Sequence, residues 1–160
     1  MEFFFPDSQD QVYPYFDFDA EQLPKHRVRQ RDDHYAHEIL ASVPYDGILV
    51  SKAMVDGTSR GAGKYSMAQS QRFYRLQVEQ FFRLGERNGK PLLSMGDCGA
   101  FTYADEDEPP YAVSEVVDFY DALGFDRGVS MDHIVFGYLN DDKDGKPPPE
   151  PDPDWVRRRK

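Results

Sequence analysis

The run Pro91-Leu-Leu-Ser-Met-Gly-Asp-Cys-Gly-Ala-Phe-Thr-Tyr103 constrains the fold more than any other stretch, because a short apolar segment halts at a carboxylate and turns on glycine. Parallel α/β sheets deliver reactive side chains to their carboxyl edge in this way. A second apolar run, Arg127-Gly-Val-Ser-Met131, ends at Asp132-His133. If the two are neighbouring parallel strands, they lie about 4.8 Å apart and both acids open onto one rim.

The segments between and before these runs supply helices. Ser66-Met-Ala-Gln69 reads as a capping box opening the longest helix, with Tyr74, Val78 and Phe81 inward beside Phe73 and Leu84, and Asn88-Gly89 as its end. Ser114 reads as the cap of a second helix with Val116, Val117, Tyr120 and Leu123 inward and Gly124 closing it. Upstream, the pattern predicts a strand at Phe3 to Phe5 and irregular chain to residue 24. A short helix over Arg31 to Ser42 and a buried strand over Asp46 to Ser51 follow. The alternation predicts an α/β fold with parallel strands and right-handed crossovers. Residues 1–139 form the folded part, 140–154 an Asp/Pro-rich linker, and 155–160 the opening of a helix.

Composition removes several function classes. With 39% hydrophobic residues and a mean hydropathy of −0.72, the chain of 160 residues reads as globular with polar loops. No run reaches the roughly 18 apolar residues of a membrane span, and no leader is apparent, so a cytoplasmic protein with no membrane partner is expected. A net charge of −10 opposes nucleic-acid binding through a general phosphate field, but leaves local basic faces at Lys25 to Arg31, Arg72 to Arg87 and Arg157 to Lys160. The loop Met54 to Tyr65, with Gly61-Ala-Gly-Lys64, fails the phosphate-loop pattern at Thr58 and Tyr65 and reads as a mobile loop over the rim.

Read without any relative, Asp97 and Asp132 form a candidate acid/base pair, although an Asp after a strand also caps turns. Phe101 serves as core or as a stacking platform. Cys98 reads as a packing residue, and a single cysteine makes neither an internal disulfide nor a structural zinc site. His34 and His37, spaced i and i+3, suit a metal or a solvated helix face. His133 suits a carboxylate, a substrate or the interior.

At Gly96-Asp-Cys-Gly-Ala-Phe101 and Gly128-Val-Ser-Met-Asp-His133 the sequence resembles the guanine transglycosylases of the queuine and archaeosine type, (β/α)8 barrel enzymes that exchange guanine for a 7-deazaguanine. Asp46-Gly-Ile-Leu-Val-Ser-Lys52, Tyr111 to Tyr120 and Gly124-Phe-Asp126 look more like the branch that modifies DNA. The resemblance implies the N-terminal portion of a TIM barrel, since three or four strands cannot close a fold of roughly 250 residues. It implies Asp97 as general acid/base, Phe101 as the ring stacked on the base, and Asp132 as the reader of its polar edge. Cys98, Gly99 and His133 complete the base-binding wall. Guanine or 7-deazaguanine, DNA or tRNA, and a second chain completing the barrel are the implied partners. The family's nucleophilic aspartate has no match here, and its zinc site of three cysteines and a histidine is absent, so no cofactor is expected in this chain. Two other readings stay open: a non-catalytic accessory module derived from that family, and an unrelated α/β hydrolase or isomerase using Asp97 and Asp132.

Overall fold

A computed structural model describes residues 1–7, 11–56, 65–104, 106 and 108–134. The elements in chain order are β1 (Phe4–Pro6), β2 (Gln11–Val12), β3 (His34–Tyr35), α1 (Ala36–Ile39), β4 (Gly47–Ser51), α2 (Lys52–Asp56) and α3 (Met67–Phe82). There follow β5 (Glu86–Arg87), β6 (Lys90–Pro91), β7 (Leu93–Asp97), a 3-10 turn (Ala100–Tyr103), α4 (Val113–Leu123) and β8 (Arg127–Gly128). Four strands form one sheet in the order β1-β4-β7-β8, every pair parallel. The expected α/β character and strand adjacency hold.

Register assigns the two faces of this sheet. Phe5, Ile48 and Ser94 align across β1, β4 and β7, and Val50, Gly96 and Gly128 align across β4, β7 and β8. This face meets α3 and α4, and Ile48, Val50, Phe73, Val78, Phe81, Phe82, Phe119 and Leu123 form the main core. The other face carries Leu49, Leu93, Met95, Ser51 and Asp97, all half-buried. Parallel sheets ordinarily bury both faces. One side is therefore only partly covered by the described residues.

The helices depart from the sequence reading in phase and extent. Ser66 does cap α3, its Oγ accepting from the Gln69 N–H. The buried residues are Phe73, Val78, Phe81 and Phe82, while Tyr74 is exposed and donates its hydroxyl to Asp56. The helix stops at Phe82 with Arg83 in the left-handed region, φ 52°. Asn88-Gly89 is then the tip of the β5–β6 hairpin, not the helix end, since the sequence pair that stops a helix also suits a two-residue hairpin turn. α4 begins at Val113 with Ala112 as its cap, whose N–H donates to Glu115 Oε2 at 2.7 Å, so Ser114 lies inside the first turn. Phe119 takes the buried position expected of Val117, which is exposed. Gly124 closes α4 with φ 71°, as expected.

Three further corrections concern the loops. Met54 to Asp56 belong to α2, and residues 57–64 of the expected mobile loop lie outside the described residues. The 140–154 linker and the 155–160 helix opening also lie outside them. β8 pairs only at Arg127 and Gly128, so Val129 to Met131 are not strand, although the Val129 N–H still reaches the Gly96 carbonyl at 2.8 Å.

The helix expected over Arg31 to Ser42 shrinks to Ala36–Ile39, and Ile39 and Leu40 are exposed. The anchors there are Tyr35 and His37, whose rings stack 5.3 Å apart. His37 is neither a metal ligand nor part of a solvated face. It is 1% exposed, with Nε2 2.9 Å from the Phe82 carbonyl and Nδ1 3.2 Å from the Tyr45 hydroxyl. Burial pushes its pKa below the ordinary value, so the folded protein resists a proton that the unfolded chain accepts. The resulting stability is full above about pH 6.5 and is lost as pH falls toward the depressed folded value. Urea midpoints are expected to fall between pH 7.5 and 5.5, and the fall should be smaller in His37→Gln.

Candidate functional site

Parallel strands place their carboxyl ends on one edge, and the candidate residues gather there. β4 ends at Ser51, which pairs in register with Asp97 at the end of β7. The Ser51 hydroxyl donates to Asp97 Oδ2 at 2.8 Å, and the Gly99 N–H donates to the same oxygen at 3.0 Å. The turn-capping role weighed for Asp97 is therefore real. It uses one oxygen, and Oδ1 faces the Cys98 sulfur at 3.9 Å.

Gly99 makes this turn possible. Its φ is +88°, and a Cβ there would stand 2.7 Å from the Ala53 Cβ. The turn is thereby pressed against α2, where the Ala53 N–H donates to the Cys98 carbonyl at 3.3 Å. Cys98 is fully buried, and its thiol lies 3.0 Å from Asp132 Oδ1. Burial, reinforced by the hydrogen bond to Asp132, pushes the thiol pKa up, so the sulfur stays protonated and donates. Cys98 is thus both a packing residue and the hydrogen-bond link between the two strand ends.

Asp132 reaches the cluster although it is not on a strand. The Tyr103 hydroxyl donates to its main-chain carbonyl at 3.2 Å, while its carboxylate is exposed. One ligand atom each from Asp97, Cys98 and Asp132 lies within 4.8 Å of the others. That spacing suits a cation, but a thiol held protonated is a poor thiolate donor. With one cysteine in the chain, the zinc set implied by the family resemblance cannot be assembled from these residues.

Phe101 sits on the 3-10 turn that follows Gly99 and is 86% exposed, which removes the core reading. His133 orients no carboxylate. Its nitrogens meet the main-chain carbonyls of Glu106 at 2.8 Å and Ile134 at 2.9 Å, so it fastens the acidic loop to the chain after β8. The structure therefore unites Asp97, Cys98, Gly99 and Asp132, sets Phe101 on the turn that follows, and gives His133 main-chain partners.

Three contributors escape the sequence reading, and a fourth, Tyr120, reads there only as an inward-facing helix residue. Ser51 holds Asp97, and only strand register would have paired them. Lys52, 8% exposed, pairs with Asp56 and lies 5.0 Å and 5.1 Å from the Tyr111 and Phe119 ring centres, tying α2 to α4 behind the turn. Tyr120 lies flat beneath Gly96 and Gly128, and its hydroxyl donates to the Val129 carbonyl at 3.0 Å. Ser94 Oγ donates to Asp126 Oδ2 at 2.8 Å, fixing the approach to β8. Small residues on adjacent strands opposite one aromatic were the available signal for Tyr120.

No protein-family model matches the chain. A DNA-guanine transglycosylase of Salmonella montevideo is 54% identical over 138 residues, which make up 86% of this chain and 32% of that protein. The chain therefore spans about a third of the length of the curated relative it matches.

Proposed function

We propose, for a chain that belongs to the guanine transglycosylase family over 138 of its residues, that it forms the base-recognising part of an enzyme replacing guanine in DNA by a 7-deazaguanine. The observation that carries this reading is the meeting of Asp97, Cys98 and Asp132 at one sheet edge, with an exposed phenylalanine on the turn that follows. A base taken out of the duplex needs a cover for its π face and acceptors for its polar edge. Phe101 supplies the first. The Asp132 carboxylate accepts from the N1–H and exocyclic amine of a guanine-like edge.

Asp97 then serves as general acid/base, its orientation fixed by Ser51 and Gly99. A carboxylate contributed by sequence beyond these residues attacks C1′ as the C1′–N9 bond breaks, and the leaving guanine takes a proton from Asp97; the incoming base then bonds to C1′, displacing that carboxylate, and returns a proton to Asp97. The four parallel strands are read as the first part of a (β/α)8 barrel, whose interior the half-buried face of Leu49, Leu93 and Met95 would line.

The test is incorporation of labelled 7-deazaguanine into guanine-containing DNA, by the chain alone and mixed with the separately expressed remainder of the Salmonella relative. Incorporation is expected only in the mixture. Incorporation by the chain alone would contradict the division of labour, and none in the mixture would count against the exchange reading.

A further inference from the structure

The basic stretch Lys25 to Arg31 has no part in the base site, yet the fold gives it a defined setting. Gln30 brings it against α3: its side-chain oxygen accepts from Arg72 at 3.4 Å, and its carbonyl accepts from Arg83 at 2.6 Å. Two basic segments far apart in sequence therefore share one face. Between that face and the first turn of α3 lies a cavity of about 240 Å³ lined by Gln11, Arg27, Arg29, Gln30, Asp33 and Gln69. It is smaller than the roughly 300–1,000 Å³ of cofactor pockets, a size for one polar group.

Its charge balance favours an oxyanion. Asp33, 2% exposed, is the carboxylate in the wall, and it is already neutralised. Arg27 donates to it twice, at 2.7 and 2.6 Å, and the Gln30 N–H donates at 2.8 Å. Arg29 lines the cavity with no ion pair among the described residues, leaving a whole guanidinium fork for a ligand. An Arg fork with amides beside it matches the geometry of a phosphate group.

Chain order relates the cavity to the edge that carries Asp97: Gln11 comes four positions after Asp7, which itself follows β1, and Gln69 is in the first turn of α3, the helix that comes after β4 and α2. β1 stands two strands from β7, about 10 Å at the usual strand spacing. We propose that this cavity binds a backbone phosphate of the DNA strand flanking the base held at Asp97 and Asp132, with Arg29 as its principal contact. The assignment rests on the base-exchange reading for the identity of the polymer, and on the cavity's own donors for the phosphate.

Fluorescence anisotropy of a labelled 20-bp DNA duplex tests it, with the whole chain as wild type, Arg29→Gln, Arg29→Glu and Lys90→Gln. Arg29 is exposed, and unchanged circular-dichroism melting will show that its variants fold. Arg29→Gln is expected to weaken binding about 5-fold and to lower the slope of log K against log salt by about one; the charge reversal should cost more. Lys90→Gln, with the same charge change at the opposite end of the sheet, should bind within about twofold of wild type. Equal affinity of wild type and Arg29→Glu would overturn the proposal, as would a wild type that takes inorganic phosphate but no duplex. A base-binding failure with duplex binding and its Arg29 dependence intact would strike the exchange reading and leave this site standing.

Discussion

Gly96→Ala is expected to destabilise the protein by about 3 kcal/mol, the upper part of the range for overpacked cores, and to lower Tm by roughly 10 °C. A Cβ on Gly96 would stand 2.3 Å from Tyr120 Cδ1 and 2.4 Å from Cε1, and one on Gly128 would stand 2.5 Å from Cδ2 of the same ring. The ring lies flat across two strands and is pinned by its hydroxyl bond to Val129. It cannot swing aside without releasing the chain that leads to Asp132. A double-mutant cycle with Tyr120→Leu measures this directly: in that background the cost of Gly96→Ala should shrink by about 2 kcal/mol. Additive effects would show that the glycine serves something other than the ring.

That packing explains which parts of the fold could be read in advance. Asp97 was legible because it ends a short apolar run that forms a parallel strand, whereas Asp132 follows a run that pairs only at Arg127 and Gly128 and reaches the same cluster from the irregular chain beyond β8. The parallel direction of the strands followed from the alternation of strands and helices. Helix phase was less legible, since Phe73, Tyr74, Phe81 and Phe82 offer several apolar stripes and only the sheet beneath selects one. Tyr74 could stay exposed because its hydroxyl has Asp56 to bond. Likewise Phe119 displaces Val117 because the core beside Phe73 and Phe125 takes an aromatic ring. Within the site, Cys98 looked like filler because its role depends on Asp132, 34 residues later, arriving 3.0 Å from the sulfur. Ser51 was hidden for the same reason: its partner is 46 residues away.

The second large effect concerns the base. Asp132→Asn should leave the fold intact, because an amide oxygen can still accept the Cys98 thiol, but it removes the charged acceptor for a guanine-like edge. Hydrogen bonds to charged groups are worth about 1.5–3 kcal/mol, so base affinity should fall roughly 10- to 100-fold. Asp97→Asn keeps one oxygen for Ser51 and Gly99. It should therefore act on proton transfer more than on binding, lowering exchange in the mixture with the remainder of the Salmonella relative far more than base affinity. Phe101→Ala removes an exposed ring, so stability should change by less than about 0.5 kcal/mol while stacking worth about 1–3 kcal/mol is lost.

The most direct measurement is calorimetric titration of 7-deazaguanine into the chain and into Asp132→Asn and Phe101→Ala. The account predicts saturable binding to the wild type, a loss of about tenfold or more in Asp132→Asn and about fivefold or more in Phe101→Ala, and unchanged melting for both. A wild type that binds no base, or variants that bind it as tightly as the wild type, would contradict the claim that Asp132 and Phe101 form a base-recognising wall.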